Sequence, residues 1–195
     1  MPDQVREAVS PYNLSDKKLY TYEDYARLPA GAGYQLIGGA LIVTPAPGKR
    51  HQYIAMKIVK LFDDYVESNQ LGEVSMAPRD VCFGPHDIYQ PDILFIAKER
   101  LAISAEDKVN GPPDLVVEIL SPSTAYYDLR KKYRIYEKYG VKEYWIVDPE
   151  EQSIEIYQLA DGLFWLAERQ VNDGEIASGL LPDLAVPLAI LFKTI

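Results

Sequence analysis

The chain has 195 residues, 48% of them hydrophobic and 25% charged, an ordinary composition for one well-buried domain and short for two. Its net charge of −9 argues against a general nucleic-acid coat protein, whose affinity rests on lysine and arginine neutralising phosphates, though not against a nuclease with a local basic surface around an acidic site. The one cysteine, Cys82, has no disulfide or C-x-x-C partner, no apolar run is long enough to span a bilayer, and "MPDQVREAVS" lacks the pattern of a signal peptide, so the reduced cytoplasm is the expected compartment.

Residues 1–18 are polar and weakly patterned and read as a flexible arm, with a single domain expected over 19–195. In "TYEDYARL", Thr21 and Asp24 form a loose capping box opening a short helix. "GYQLIGGALIV" reads as two strands around a Gly38-Gly39 turn. "TPAPGKR" is a loop. The apolar positions Ile54, Ile58, Leu61, Phe62 and Tyr65 then predict a helix over 51–68 with one buried face.

"GEVSMAPRDVCFG", "YQPDILFIA" and "PPDLVVEILS" read as three strands. A helix is predicted from about Ser123 to Tyr139, opened by a hydroxyl N-cap and closed by Gly140. "KEYWIVDP", "SIEIYQLA" and "GLFWLAERQV" are three further strands, and the apolar tail "LLPDLAVPLAIL" is expected to cover an open side of the core. Mixed elements with strands clustered centrally predict one α/β (mixed α+β) domain.

The strand "DLVVEIL" carries a carboxylate in its middle. Alternation places Asp114, Val116, Glu118 and Leu120 on one side, with Asp114 near the strand's start and expected to be solvated. Glu118 is expected to be buried, and a buried charge is either ion-paired or bound to a metal. At 100° per residue, Leu129, Lys132, Tyr133 and Tyr136 fall on one stripe of the following helix, while Arg130, Lys131 and Arg134 point away from its centre. Lys132 is therefore the cation of this basic helix beside the apolar face, although a lysine so placed can also snorkel to solvent. Asp92, which opens "ILFI" after Pro91, is the second carboxylate of interest. Two carboxylates and a lysine are what metal-dependent phosphodiester cleavage needs: Mg²⁺ accepts one or two carboxylates together with waters and phosphate oxygens, and a lysine stabilises the developing charge.

"QPDILFI", "PDLVVEILSPST" and "DLRKKYRIYEKYGVKEYWIVDP" resemble the Uma-two family of restriction endonucleases, within the PD-(D/E)XK nuclease superfamily. The resemblance runs from about Tyr22 to the C-terminus and is most specific over 110–149. It implies a restriction-endonuclease-like core, a central mixed β-sheet flanked by helices, and Mg²⁺-dependent hydrolysis of DNA with Mn²⁺ able to substitute. Asp92, Glu118 and the Ile119 backbone carbonyl would hold the metal. The usual lysine two residues after the glutamate is replaced by Leu120, and the resemblance implies that Lys132 takes over its role of orienting water and balancing charge. Asp128, Gln35 and His51 are accessory candidates.

The chain departs from the family pattern "YELIDGEL", with "YQLIGGAL" in its place. Gln35, Gly38 and Ala40 stand where acidic residues are common, so a catalytically weakened nuclease fold acting as a nucleic-acid or protein binding module is the rival reading. Tyrosines interleaved with Arg130, Lys131 and Arg134 either bind nucleic acid or form a packed and solvated helix. His51 reads as a phosphate or water contact, or as an ordinary first-turn residue. DNA is the expected partner, no membrane is implied, and double-strand cleavage would favour a symmetric homodimer.

Overall fold

The computed structural model describes residues 19–29, 33–121 and 131–193. The arm expected over 1–18 and the first part of the helix expected from Ser123, including Asp128 and Arg130, lie outside the described residues. Helix α1 (Tyr22–Tyr25) opens on the predicted capping box, Thr21 and Asp24 each accepting from the other's backbone N–H. Strands β1 (Tyr34–Ile37) and β2 (Ala40–Val43) follow as an antiparallel pair. Gly38 and Gly39 both take positive φ, 57° and 75°, as a tight two-residue hairpin requires.

Helix α2 spans Lys49–Asn69 and buries Ile54, Ala55, Ile58, Phe62 and Val66; the predicted face is confirmed, with Leu61 and Tyr65 at its half-buried margins. The stretch "GEVSMAPRDVCFG" is two strands, β3 (Gly72–Met76) and β4 (Asp80–Gly84), which enter different sheets. Pro78 lies between them, lacking the N–H that a continuous ladder needs. Pro91 likewise separates β5 (Asp87–Tyr89) from β6 (Ile93–Ala97). A 3₁₀ turn over Lys98–Ile103, β7 (Lys108–Asn110), β8 (Leu115–Ile119), α3 (Tyr133–Tyr139) and β9 (Glu143–Asp148) come next. Then come β10 (Ser153–Ala160), β11 (Leu163–Val171), the short pair β12 (Glu175–Ala177) and β13 (Ala185–Pro187), and α4 (Leu188–Leu191).

The central sheet is mixed and six-stranded, in the order β11-β10-β9-β8-β6-β3, with β8 and β9 parallel and every other pair antiparallel. Alternation along β8 sends Leu115, Val117 and Ile119 to a core shared with α2 and the C-terminal tail, where Phe62 meets Trp145 edge-on at 5.3 Å. Leu181, Leu184, Val186, Leu188 and Leu191 of the tail complete that core, as its apolar pattern predicts. Val116 faces the other side, toward Tyr136 of α3 and toward Val81, Phe83 and Tyr89. These last come from a second, five-stranded sheet, β2-β1-β5-β4-β7, a separate layer that the strand pattern does not announce. The architecture is mixed α/β, and among the described residues no helix is long and apolar enough to cross a membrane.

Asp114 corrects one expectation. It is fully buried rather than solvated, paired with Arg100 and Lys142 at 2.8 Å each and accepting from the Ala97 N–H. Burial pushes its carboxyl up, but the Ala97 N–H and the two cations together hold it below the usual carboxylate range. Glu143, also buried, accepts from Trp145 Nε1, Ser178 Oγ and the backbone N–H groups of Gly179 and Leu180, tying β9 to the tail.

Candidate active site

Ile93 pairs with Val117 across antiparallel β6 and β8, so one step further Asp92 comes opposite Glu118. Antiparallel partners present their side chains on the same face, and Leu94 and Val116, two residues away on each strand, both face α3. A strand-leading aspartate and a mid-strand glutamate, 26 residues apart in the chain, thus stand side by side. Asp92 Oδ2 accepts from the Ile119 backbone N–H at 2.7 Å, locking the carboxylate to the neighbouring strand.

Glu118 is 2% exposed. Lys132, 5% exposed, reaches it from the start of α3, with Nζ 2.7 Å from Oε1 and 2.8 Å from Oε2. Over the described residues the predicted helix phase holds: Lys132 and Tyr136 point inward, whereas Lys131 and Arg134 are exposed. The backbone at 131–132 is a wide turn that tightens into α3 from Tyr133 onward. Gly140, with φ of 84°, closes α3 as the sequence implies. Tyr136, one turn beyond Lys132 and fully buried, donates its hydroxyl to Glu118 Oε1 at 2.6 Å. Glu118 is therefore both ion-paired and hydrogen-bonded, which is what makes a carboxylate stable at this depth.

His51, in the first turns of α2, reaches the same group: its Nε2 lies 3.1 Å from Asp92 Oδ1. Its Nδ1 is buried and has no hydrogen-bond partner among the described residues. Gln35, also buried, accepts the Gln90 N–H at 3.0 Å through Oε1 and donates to Thr44 Oγ1 at 3.1 Å. The amide thus ties β1 to the residue that follows β2 and to the segment leading to Asp92. Gln90 in turn donates to Asp80, which also takes the Tyr25 hydroxyl.

Asp92, Glu118, Lys132, His51 and Gln35 all line one cavity of about 780 Å³, bordered by the 44–48 loop, the first residues of α2 and Pro149-Glu150. Lys49 and Arg50 lie on its rim, and Arg50 pairs with Glu150 at 3.0 Å. Sequence reasoning missed Tyr136, Gln90, Lys49 and Arg50 as site residues. A signal for Tyr136 exists, since positions four apart share a helix face and Lys132 lies on that face. Lys49 and Arg50 have no such signal, because only the packing of α2 against the sheet carries them to the cavity. Cys82 and His86 lie elsewhere: burial pushes the Cys82 thiol up to about 11, and His86 Nδ1 contacts the Tyr20 carbonyl.

The donor set fits a hard, oxygen-seeking cation. Asp92 and Glu118 stand side by side in the cavity wall, a third carboxylate, Glu150, lies at the exposed rim paired with Arg50, and among the described residues no group of three or more His, Cys, Asp or Glu forms a metal cage. An all-protein zinc site needs such a cage, whereas Mg²⁺ keeps several waters and takes only one or two carboxylates.

A central mixed sheet flanked by helices, carrying two side-by-side carboxylates and a buried lysine, is the restriction-endonuclease-like class of fold. The family model described as "Uma2: Putative restriction endonuclease" matches residues 22–189, and the chain belongs to that family. Its fold is similar to a solved structure described as "a putative nuclease belonging to DUF820 from Anabaena variabilis ATCC 29413", with a TM-score of 0.72 and 22% identity, covering 89% of this chain and 97% of that one. No curated protein matches the chain.

Proposed function

We propose that this chain is a Mg²⁺-dependent endonuclease that hydrolyses DNA phosphodiester bonds by water attack. One observation carries the reading: Asp92 and Glu118 stand opposite each other at a cavity wall, with the buried Lys132 ammonium beside them. Asp92 and Glu118 would hold the ion. The Ile119 carbonyl would join them, since an extended residue directs its C=O to the same side as its N–H, and that N–H meets Asp92. Mg²⁺ bound there would supply Lewis acidity toward a phosphoryl oxygen and lower the pKa of an attacking water. Lys132 would orient the water and offset charge growing on the phosphate. His51 and the Ile119 N–H would hold Asp92 in a single orientation.

The rival, a binding module on a nuclease fold, is favoured by Gln35, whose amide is committed to the neutral partners Gln90 and Thr44. Calorimetric Mn²⁺ or Mg²⁺ titration followed by plasmid cleavage, with EDTA as control, decides between them. Metal binding with EDTA-sensitive nicking or linearisation supports the nuclease. DNA binding without cleavage at saturating metal supports the module.

A further inference from the structure

The Glu118 carboxylate faces a mechanical problem that Lys132 does not solve. The terminal torsion of a glutamate is broad and roughly two-fold, so its oxygens are poorly fixed by the backbone. Lys132 contacts both oxygens almost equally, at 2.7 and 2.8 Å, through a three-donor ammonium on a flexible stem. Such a contact supplies charge but little direction. The hydroxyl of Tyr136 is different: it meets Oε1 at 2.6 Å, within the range of charge-assisted O–H···O⁻ bonds, and comes from a rigid ring.

That ring is itself clamped. Its centroid lies 5.2 Å from that of Tyr144 at 76°, 5.4 Å from Phe83 and 6.1 Å from Tyr89, and none of these rings is exposed. Four parts of the fold thus fix this contact: α3 supplies the tyrosine, β9 and the second sheet hold its ring, and Glu118 on β8 accepts its hydrogen bond. We infer that Tyr136 is a positioning residue for the metal-binding carboxylate, its hydroxyl selecting the rotation in which Glu118 meets the cation. The inference rests on the metal reading given above and adds to it a residue that touches neither metal nor substrate.

The test compares Mn²⁺ affinity by calorimetry in the full chain, its Tyr136→Phe variant and its Tyr89→Phe variant. Tyr89 belongs to the same aromatic cluster, but its hydroxyl donates to Asp87, so its loss removes a buried hydroxyl without touching Glu118. Loss of an outer partner of a metal ligand typically weakens affinity by about 10–100-fold, and a weakening of about 10-fold is expected for Tyr136→Phe, with none for Tyr89→Phe. Fluorotyrosine at position 136 keeps the fold and reads the bond directly: its fluorine resonance should shift on Mg²⁺ addition, whereas the same probe at 89 should stay still. Equal affinity in wild type and Tyr136→Phe, equal losses in the two variants, or a silent probe at 136 would each overturn the inference while leaving the metal site standing. A wild-type chain that binds no Mn²⁺ overturns the metal reading and this inference together.

Discussion

Lys132 and Glu118 form a buried ion pair across two elements, strand β8 and the start of helix α3, with both glutamate oxygens within 2.8 Å of the ammonium. The adjacent Lys131 is exposed. Successive positions of this helical turn face different ways, which puts Lys132 in the core and Lys131 in solvent.

Lys132→Met is accordingly expected to reduce cleavage by about 100-fold or more, the scale seen when one transition-state donor is removed. Mn²⁺ binding should be largely retained, because a water-orienting cation acts chiefly on the transition state. Lys131→Met should change little beyond weak DNA affinity. Single-turnover cleavage and calorimetry on both variants check this, and equal cleavage losses in the two would sink the assignment.

Asp92→Ala and Glu118→Ala should each remove divalent-ion binding and cleavage. They should differ in stability. Glu118→Ala leaves Lys132 buried without its counter-ion, a change that typically costs about 3–5 kcal/mol. Asp92, whose side chain is 18% exposed, should cost less on truncation. Urea denaturation of both variants beside the Mn²⁺ titrations separates the structural role of Glu118 from the role proposed for it at a metal; full Mn²⁺ affinity in both would remove the nuclease reading.

DNA affinity in a chain of net charge −9 must come from local basic residues and should fall steeply with salt. Lys49 lies on the cavity rim, whereas Lys131, just before α3, and Arg134, on α3, are exposed away from it. Lys49→Glu should therefore weaken binding more than Arg134→Glu. Removing one phosphate-neutralising side chain should reduce the slope of log affinity against log salt by about 0.9. Fluorescence anisotropy at several salt concentrations measures both, and an unchanged slope in every variant would show these charges to be solvated only.

Asp114 gives the pH dependence of folding. Its folded-state carboxyl titrates below the usual range, so its stabilisation is fully present above the unfolded value of about 3.9 and is lost as pH falls through the folded one. Urea midpoints should therefore drop as pH is lowered below about 4. Asp114→Asn, already less stable at neutral pH, should show a shallower acid limb. A parallel decline in both proteins would assign the acid sensitivity to other carboxylates.

Much of the site is legible in the sequence because it rests on short-range periodicity. Alternation along "DLVVEIL" puts Glu118 on the same face as Val116, and helical phase alone distinguishes Lys132 from Lys131. The same logic overreaches at Asp114, where position at a strand's start suggests solvent. Arg100 and Lys142, 14 residues before it and 28 after it, close over the carboxylate, and no local pattern announces them. His51 is ambiguous for the same reason, since its contact with Asp92 spans 41 residues.

The sequence by itself determined which residues could face inward, where α2 runs and α3 ends, where Gly38-Gly39 and Gly140 turn the chain, and that an isolated Glu118 required a partner. These follow from interactions within a few residues, which any window of the chain contains. Only the tertiary structure decided that Asp92 stands opposite Glu118, that "GEVSMAPRDVCFG" divides between two sheets, and that His51 and Gln35 meet at one cavity while Tyr136 reaches its glutamate. Strand order and register are set by side-chain packing between distant segments, and that packing energy belongs to pairs of elements rather than to any one stretch of sequence.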